Sequence, residues 1–204
     1  MTPAVVVFDL GKVLLDFDYR IAAKRIAARS RLDWPAVQHL LDHSPLLPRY
    51  ESGLLTRQQF YEAVCHETGF QGTLAEFGAF FADIFWPIEP MVALHAELRA
   101  RRVPTYIFSN TNDLAIEHIN RNFPFMRQFE AQILSYEVGA MKPAARMYEV
   151  LEQAAARRGP EVLYLDDRPE NIEAGAARGW QVILQTTPEA SRARMAELGL
   201  VNHG

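Results

Sequence analysis

Cysteine and long apolar segments are scarce in this sequence. Cys65 is the only cysteine among 204 residues, which excludes an internal disulfide and favours a reducing compartment. No basic stretch precedes the first apolar run, and Asp9 interrupts that run. These features argue against a signal peptide and against a membrane-spanning segment. We therefore expect a soluble, cytoplasmic protein.

An excess of positive charge is also missing. The chain has 21 Lys and Arg against 25 Asp and Glu, for a formal net charge of −4. That balance argues against a general nucleic-acid or anionic-membrane surface. Hydrophobic residues make up 49% of the chain, which is enough for a well-buried core. We expect a small-molecule partner, no nucleic acid, no membrane, and a monomer or weak homodimer.

Five apolar runs have the composition of buried parallel strands. They lie at residues 4–8, 104–108, 131–134, 162–165 and 181–184. Helical patterns alternate with the later runs, at residues 89–101, 113–122, 144–157, 171–178 and 188–198. The alternation predicts an α/β fold, a Rossmann-like parallel sheet flanked by helices.

The segment between the first strand and the helix near Glu89 carries no strand signal. It has helical periodicity, punctuated by proline and glycine. Because a structureless loop of that length does not fit a compact domain, we predict an inserted α-helical cap domain at residues 16–86. Residues 1–15 and 87–204 then form the core. The alternative is a set of helices that only widens the core, but an insertion directly behind a strand end is expected to cover a site.

Acidic residues stand where two of the predicted strands end. Asp9 follows the first strand, and Asp166 and Asp167 follow the fourth. Because the carboxyl ends of parallel strands face one crevice, we expect the three carboxylates to converge. Carboxylates packed together repel one another and need a cation to stay ionised. Hard oxygen ligands point to Mg²⁺.

Two further strand ends carry polar groups. Ser109 and Asn110 follow the second strand, where a hydroxyl, an amide and free backbone N–H groups are suited to phosphate oxygens; helix capping is the competing interpretation. Lys142 precedes Pro143, which restricts its backbone. It can pair with Asp9 and with a substrate phosphate, unless it is an ordinary surface lysine.

The order of these groups resembles the four-motif pattern of the haloacid dehalogenase-like superfamily, whose members are mostly phosphatases. The resemblance extends over the whole chain. Within the superfamily, the sequence most resembles the branch with a small helical cap, subfamily IA. Within that branch, it resembles the bacterial phosphatases that act on α-D-glucose 1-phosphate. The segments that carry this resemblance are residues 8–11, 16–18, 50–53, 65–67, 109–112, 141–148 and 166–173.

The resemblance implies a haloacid dehalogenase-like fold and a magnesium-dependent phosphatase. Asp9 is then the nucleophile and a metal ligand. The backbone carbonyl of Gly11 and the pair Asp166 and Asp167 complete the metal site, with Asp167 as the direct ligand and Asp166 acting through water or a neighbour.

The same resemblance assigns the substrate-binding groups. Ser109 and Asn110 are expected to hold the phosphoryl oxygens. Lys142 is expected to orient Asp9 and to contact the phosphate.

One position departs from the family pattern. Most phosphatases of the superfamily carry a second aspartate, a general acid and base, where this chain has Gly11. Loss of general acid help matters less for a good leaving group, such as an anomeric sugar oxygen. Asp16 or Asp18 is expected to replace the missing aspartate as the acid or to bind sugar hydroxyls; an N-cap or hinge role is the alternative.

Two other functions remain open. A 2-haloacid dehalogenase also uses an Asp nucleophile, but needs no metal, so Asp166 and Asp167 count against it. A non-catalytic sugar-phosphate-binding protein would have lost turnover with the missing acid. An abandoned site has no physical reason to keep carboxylates that repel one another.

Overall fold

The computed structural model describes residues 1–202. Its strands are β1 (Val5–Phe8), β2 (Leu15–Phe17), β3 (Phe85–Pro87), β4 (Thr105–Ser109), β5 (Ala131–Leu134), β6 (Val162–Asp166) and β7 (Gln181–Leu184). Its first five helices are α1 (Tyr19–Ala27), α2 (Trp34–His43), α3 (Leu46–Glu51), α4 (Arg57–Thr68) and α5 (Leu74–Ala82). The remaining helices are α6 (Glu89–Ala100), α7 (Asp113–Asn122), α8 (Ser135–Val138), α9 (Ala145–Ala155), α10 (Pro169–Ala177) and α11 (Pro188–Glu197).

The core is a five-stranded parallel sheet in the order β5-β4-β1-β6-β7. Phe8, the last residue of β1, lies opposite Ile107 of β4 and Leu165 of β6. All residues of these three central strands are buried, which explains why their sequences are nearly continuous apolar runs. The predicted α/β fold and its five parallel strands are confirmed.

Both faces of the sheet are covered. Val6 and Phe8 of β1 pack into one apolar cluster, and Val5 and Val7 pack into another on the opposite face. Successive side chains of a strand point to opposite faces, so one four-residue strand serves both layers. This packing fixes β1, and with it the position of Asp9 directly after its end.

The helices α1–α5 form a third apolar cluster, which also includes Leu114 of α7. Phe60, Phe77 and Phe81 lie at its centre, and the rings of Phe60 and Phe81 are 5.2 Å apart. Reciprocal capping boxes, Thr56 with Gln59 and Thr73 with Glu76, begin α4 and α5 and satisfy their first N–H groups. We refer to these five helices as the cap.

A short antiparallel ribbon of β2 and β3 connects the cap to the core. Asp16 lies opposite Trp86 in this ribbon, so the predicted cap boundaries, 16 and 86, fall on paired residues. The ribbon contradicts the prediction that this segment contains no strand. Each strand has three residues and β3 ends at Pro87, too short for a period of two to be recognised.

Some helix bounds differ from those predicted. Helix α10 begins at Pro169 rather than at residue 171, with proline in the first turn, where its missing N–H costs nothing. The four-residue helix α8 was not expected. Within residues 1–202, no helix is long and apolar enough to span a bilayer.

Side chains of the cap also contact α7 of the core. The hydroxyl of Tyr50 donates to Asp113. Arg57 of α4 bonds to Asp113 and to Glu117, each at 2.8 Å. The ribbon and these contacts hold the cap over the carboxyl ends of the core strands.

Candidate active site

A cavity of about 400 Å³ lies between the cap and the carboxyl ends of the central strands. Its core wall includes Asp9, Gly11, Ser109, Asn110, Lys142 and Asp167. Its other wall includes Phe17, Tyr19, Leu47, Glu51 and Phe85, which belong to the cap and the ribbon. Thus segments that follow four strands, together with the inserted cap, line one space.

The three predicted carboxylates converge at this cavity. Asp9, Asp166 and Asp167 each place one oxygen so that all three oxygens lie within 4.8 Å of one another. Asp9 is 8% exposed and Asp166 is fully buried. Burial at this separation makes three ionised carboxylates unstable without cations.

Lys142 supplies one of those cations. Its Nζ lies 3.0 Å from Asp9 Oδ1 and 2.6 Å from Asp166 Oδ2, and it donates to the carbonyl of Phe108 at 2.7 Å. These three acceptors match the three protons of an ammonium group. The predicted pairing with Asp9 is therefore present. A phosphate contact, also predicted for Lys142, requires one of these acceptors to be exchanged.

Asp166 and Asp167 have different surroundings. Asp166 accepts hydrogen bonds from Lys142, from the hydroxyl of Tyr164, from the Asn171 amide at 3.0 Å and from the Arg168 N–H at 2.8 Å. Asp167 is half-buried and lines the cavity. This arrangement fits the expectation that Asp167 binds a metal directly and that Asp166 acts through neighbours.

The pKa values show that one lysine does not balance the cluster. Burial, which outweighs the attraction of Lys142, raises the pKa of Asp9 to about 7, and Asp166 adds to the rise. Burial and Asp166 also raise the pKa of Asp167. Burial opposes ionisation of Asp166 as well, but Lys142 and its other donors hold its pKa below the usual value.

The loop after β4 places polar groups on the same wall. Ser109 is buried and borders the cavity. The Asn110 amide accepts from the Lys142 N–H at 2.7 Å and donates to the Lys142 carbonyl at 3.0 Å. The Asn110 side chain therefore holds the lysine segment in place, whereas a phosphate contact was predicted for it. The bonds arise between loops far apart in sequence, so the motif alone did not reveal them.

Gly11 lies against an aromatic ring. A Cβ at position 11 would be 2.8 Å from Cε1 of Phe17, closer than side-chain carbons approach one another. Phe17 in turn packs against Tyr19 and Phe85. The space for the usual second aspartate is therefore occupied by Phe17, and the role of the Gly11 carbonyl as a metal ligand stays a prediction.

Asp18 is not among the residues that line the cavity, and its predicted substrate contact stays a prediction. Its carboxylate caps α1 by accepting from the Arg20 N–H at 2.9 Å and pairs with the Arg20 side chain. Asp16, the other candidate acid, pairs with Lys12. For Asp18 the capping interpretation is correct, because the orphan N–H groups of α1 orient it along that helix.

Glu51 was missed by the sequence interpretation. It is the last residue of α3, half-buried, and lines the cavity from the cap. The sequence carried one signal, since Glu51 lies in the segment 50–53 that contributes to the family resemblance. Which way its side chain faces depends on the docking of the cap.

Comparison with known proteins identifies the family. The family description "haloacid dehalogenase-like hydrolase" matches residues 3–179. This chain belongs to the haloacid dehalogenase-like hydrolases. The predicted superfamily and enzyme class are therefore confirmed.

Individual relatives of this hydrolase are distant. The D-ribitol-5-phosphate phosphatase of Bacteroides thetaiotaomicron is 21% identical over 182 residues, covering 86% of this chain and 88% of the relative. A predicted haloacid dehalogenase-like hydrolase of Porphyromonas gingivalis superposes with a TM-score of 0.81 at 19% identity, covering 96% of this chain and 98% of the other.

A family enzyme from Bacteroides thetaiotaomicron has been solved in complex with magnesium and inorganic phosphate. It superposes on this hydrolase with a TM-score of 0.77 at 21% identity, covering 89% of this chain and 93% of the other. Likeness at these identities shows a common fold. The narrower resemblance to glucose 1-phosphate phosphatases is not confirmed.

Proposed function

We propose that this hydrolase is a magnesium-dependent phosphatase of small phosphomonoesters, of the sugar-phosphate or polyol-phosphate class, and that Asp9 forms the aspartyl-phosphate intermediate. The observation that carries the proposal is the cluster of Asp9, Lys142, Asp166 and Asp167 at one end of a small cavity between the cap and the core. A nucleophile, its counterion and a cation site then occupy a single location.

The cluster fits a divalent cation by its charge and its donor atoms. Three carboxylates meet one ammonium group, so further positive charge would relieve their repulsion. All the available donors are oxygens, the type that Mg²⁺ prefers. Asp9, Asp167 and the Gly11 carbonyl would hold the ion, with Asp166 supporting from behind. When bound, the ion would neutralise charge on the transferring phosphoryl group.

The hydrogen bonds of Asp9 distinguish its two oxygens. Oδ1 accepts from the Leu10 N–H at 2.7 Å and from Lys142 Nζ at 3.0 Å. Within residues 1–202 no donor is bonded to Oδ2, which is therefore free to attack phosphorus. The attack breaks the bond from phosphorus to the ester oxygen and leaves a phosphoryl group on Asp9, which water later removes. Lys142 keeps the carboxylate oriented through both steps.

The wall opposite Asp9 limits the leaving group. The cavity volume is within the range of small-molecule sites. Phe17, Tyr19, Leu47 and Phe85 offer ring and methyl surface, with Glu51 among them. A carbon skeleton with hydroxyl groups fits this combination. The activity of the ribitol 5-phosphate relative supports the same class.

The experiment is phosphate release from a panel of ribitol 5-phosphate, glucose 1-phosphate and glucose 6-phosphate. Each is assayed with Mg²⁺, with chelator, and with the Asp9→Asn variant. We expect release that needs Mg²⁺ and is lost in Asp9→Asn. Absence of release from every ester, or undiminished release by the variant, would refute the proposal.

The carboxylate cluster argues against the dehalogenase alternative. Displacement of halide by Asp9 needs no metal, so Asp167 would have no task in it. Halide release from a 2-haloacid without phosphate release from any ester would reverse this preference. Binding of phosphosugars without turnover would favour a binding protein.

A further inference from the structure

The leaving oxygen of a phosphate ester needs a proton, and the usual donor is missing at Gly11. In the structure, the two aspartates expected to replace it have other partners. Asp18 caps α1, and Asp16 pairs with Lys12. Within residues 1–202, the carboxyl groups that line the cavity belong to Asp9, Asp167 and Glu51. The first two belong to the carboxylate cluster, so Glu51 is the one left.

The backbone of Glu51 is fixed against the core. Its carbonyl accepts from Ser135 Oγ at 2.5 Å, and the same Oγ accepts from the Thr111 N–H at 2.8 Å. Two residues further, Gly53 has a φ of 72°, and a Cβ there would lie 2.4 Å from the Tyr136 carbonyl oxygen. The cap chain therefore passes too close to the core to carry a side chain at position 53. Glu51 is held at the cavity and linked to the loop that follows β4.

The Glu51 carboxyl group has no evident structural task. Within the described part of the chain, its carbonyl is hydrogen-bonded but its carboxyl oxygens are not. Arg168, which also lines the cavity, is paired with Glu170 at 2.5 Å. Leu47 contributes apolar surface to the same wall. The Glu51 carboxyl group is therefore available to a ligand in the cavity.

We propose that Glu51 is the catalytic acid and base of this hydrolase, delivered by the cap in place of the aspartate missing at position 11. The proposal rests on the phosphatase function proposed above. In the first step, Asp9 bonds to phosphorus, the bond from phosphorus to the ester oxygen breaks, and the leaving oxygen takes the proton of Glu51. In the second, water attacks phosphorus, one of its two protons goes to the Glu51 carboxylate, and the bond from phosphorus to the Asp9 oxygen breaks, which releases inorganic phosphate and the Asp9 carboxylate.

The ionisation of Glu51 is consistent with both tasks. Burial raises its pKa to about 7, Arg168 opposes the rise, and the Asp9 charge adds to it. A group with a pKa near the working pH can donate a proton in one step and accept one in the next. The Tyr19 hydroxyl on the same wall holds its proton too tightly to release it readily at neutral pH, since burial raises its pKa well above the usual value.

The test compares leaving groups rather than total activity. An alkyl phosphate such as ribitol 5-phosphate needs a proton on its leaving oxygen, whereas 4-nitrophenolate leaves without one. For Glu51→Gln we expect kcat/KM to fall by ~10²–10⁴ on the alkyl ester and by less than ~10 on 4-nitrophenyl phosphate. Glu149→Gln, an exposed position on α9, is the matched control and should change neither value.

Equal losses on both esters, or no loss on either, would overturn the proposal for Glu51. If Glu51→Gln does not fold, the wild-type enzyme provides the test, with kcat/KM measured for esters whose leaving groups differ in pKa. The value should depend weakly on leaving-group pKa. A steep dependence would contradict protonation of the leaving group by an acid of the enzyme. If turnover depends on Asp9 but one of these contrary results is found, the role of Glu51 is refuted and the proposed phosphatase function stands. No phosphate release by the wild type would refute the proposed function itself.

Discussion

Lys142 Nζ lies 3.0 Å from Asp9 Oδ1, although the two residues follow different strands of the sheet. Both groups are almost fully buried. The pair joins the loop after β1 to the segment before α9, so it contributes to the fold as well as to the proposed chemistry. Removing the ammonium group would leave buried carboxylates without their counterion.

Replacing Lys142 with Gln should therefore reduce both stability and turnover. Breaking a buried ion pair from one side typically costs ~3–5 kcal/mol. We expect a decrease of that size in the free energy of unfolding, measured by urea denaturation without Mg²⁺. Lys24→Gln is the control, because Lys24 is an exposed residue of α1. Equal stability of the two variants would mean that Lys142 does not stabilise the buried carboxylates.

The contact between Gly11 and Phe17 predicts a coupled pair of substitutions. Gly11→Ala should lower the free energy of unfolding by about 1–3 kcal/mol, since the new methyl group must displace a packed ring. In a Phe17→Leu background the same change should cost less. A double-mutant cycle of urea unfolding measures the coupling. An additive cycle would show that Phe17 does not fill the space at position 11.

The ion pairs of Arg57 predict that contacts between the cap and α7 contribute to substrate binding. It bonds to Asp113 and Glu117 of α7 from the cap. Arg57→Gln should weaken closure of the cap and raise KM roughly 5-fold, as expected for partly exposed pairs worth ~1 kcal/mol.

The control for Arg57 is Arg121→Gln. Arg121 also pairs with Glu117, but within α7 itself. Steady-state kinetics on one substrate compares the two variants. The same KM for both would show that cap closure does not depend on Arg57.

The burial of His95 predicts that the stability of the fold depends on pH. It is fully buried, stacks on Phe129 with centroids 4.0 Å apart, and contacts Thr105 Oγ1 at 3.1 Å. Burial lowers its pKa to about 4 from 6.5, and Arg99 adds to the fall. Between these values the unfolded chain takes up a proton that the folded protein does not. Stability should therefore fall by roughly 3 kcal/mol as pH drops from ~6.5 to ~4.

The variant His95→Gln separates this effect from other acid-induced changes. Urea unfolding at several pH values should show a smaller loss below pH 6.5 in the variant than in the wild type. His66→Gln, at an exposed position, should keep the wild-type slope. An unchanged slope in His95→Gln would exclude His95 as the source.

The sequence predicted the structure best where a buried element is a continuous run of apolar residues. Parallel strands covered on both faces read as apolar runs, so the core strands and the acids after β1 and β6 were predictable. The ribbon was not, because three residues and a proline give no recognisable period. Asp18 had a functional and a structural interpretation, and the hydrogen bond that it accepts at the start of α1 shows that it is the N-cap residue of that helix.

The cap side of the cavity could not be predicted from the sequence, for a different reason. Glu51 faces the cavity because Ser135 and Gly53 hold its backbone against the core. Asn110 holds Lys142 through two bonds between separate loops. Such contacts depend on how distant segments dock, and neither residue type nor local period encodes that. The metal-binding and phosphate-binding roles of the individual residues stay predictions.

The central claim is that Asp9 carries the phosphoryl group. The measurement is acid quenching of the enzyme during turnover of a small phosphate ester, followed by peptide mass spectrometry. The account predicts one added phosphoryl group on the peptide that contains Asp9, absent in Asp9→Asn. A phosphoryl group on another residue, or none on an enzyme that turns over with a demonstrably slow second step, would contradict it.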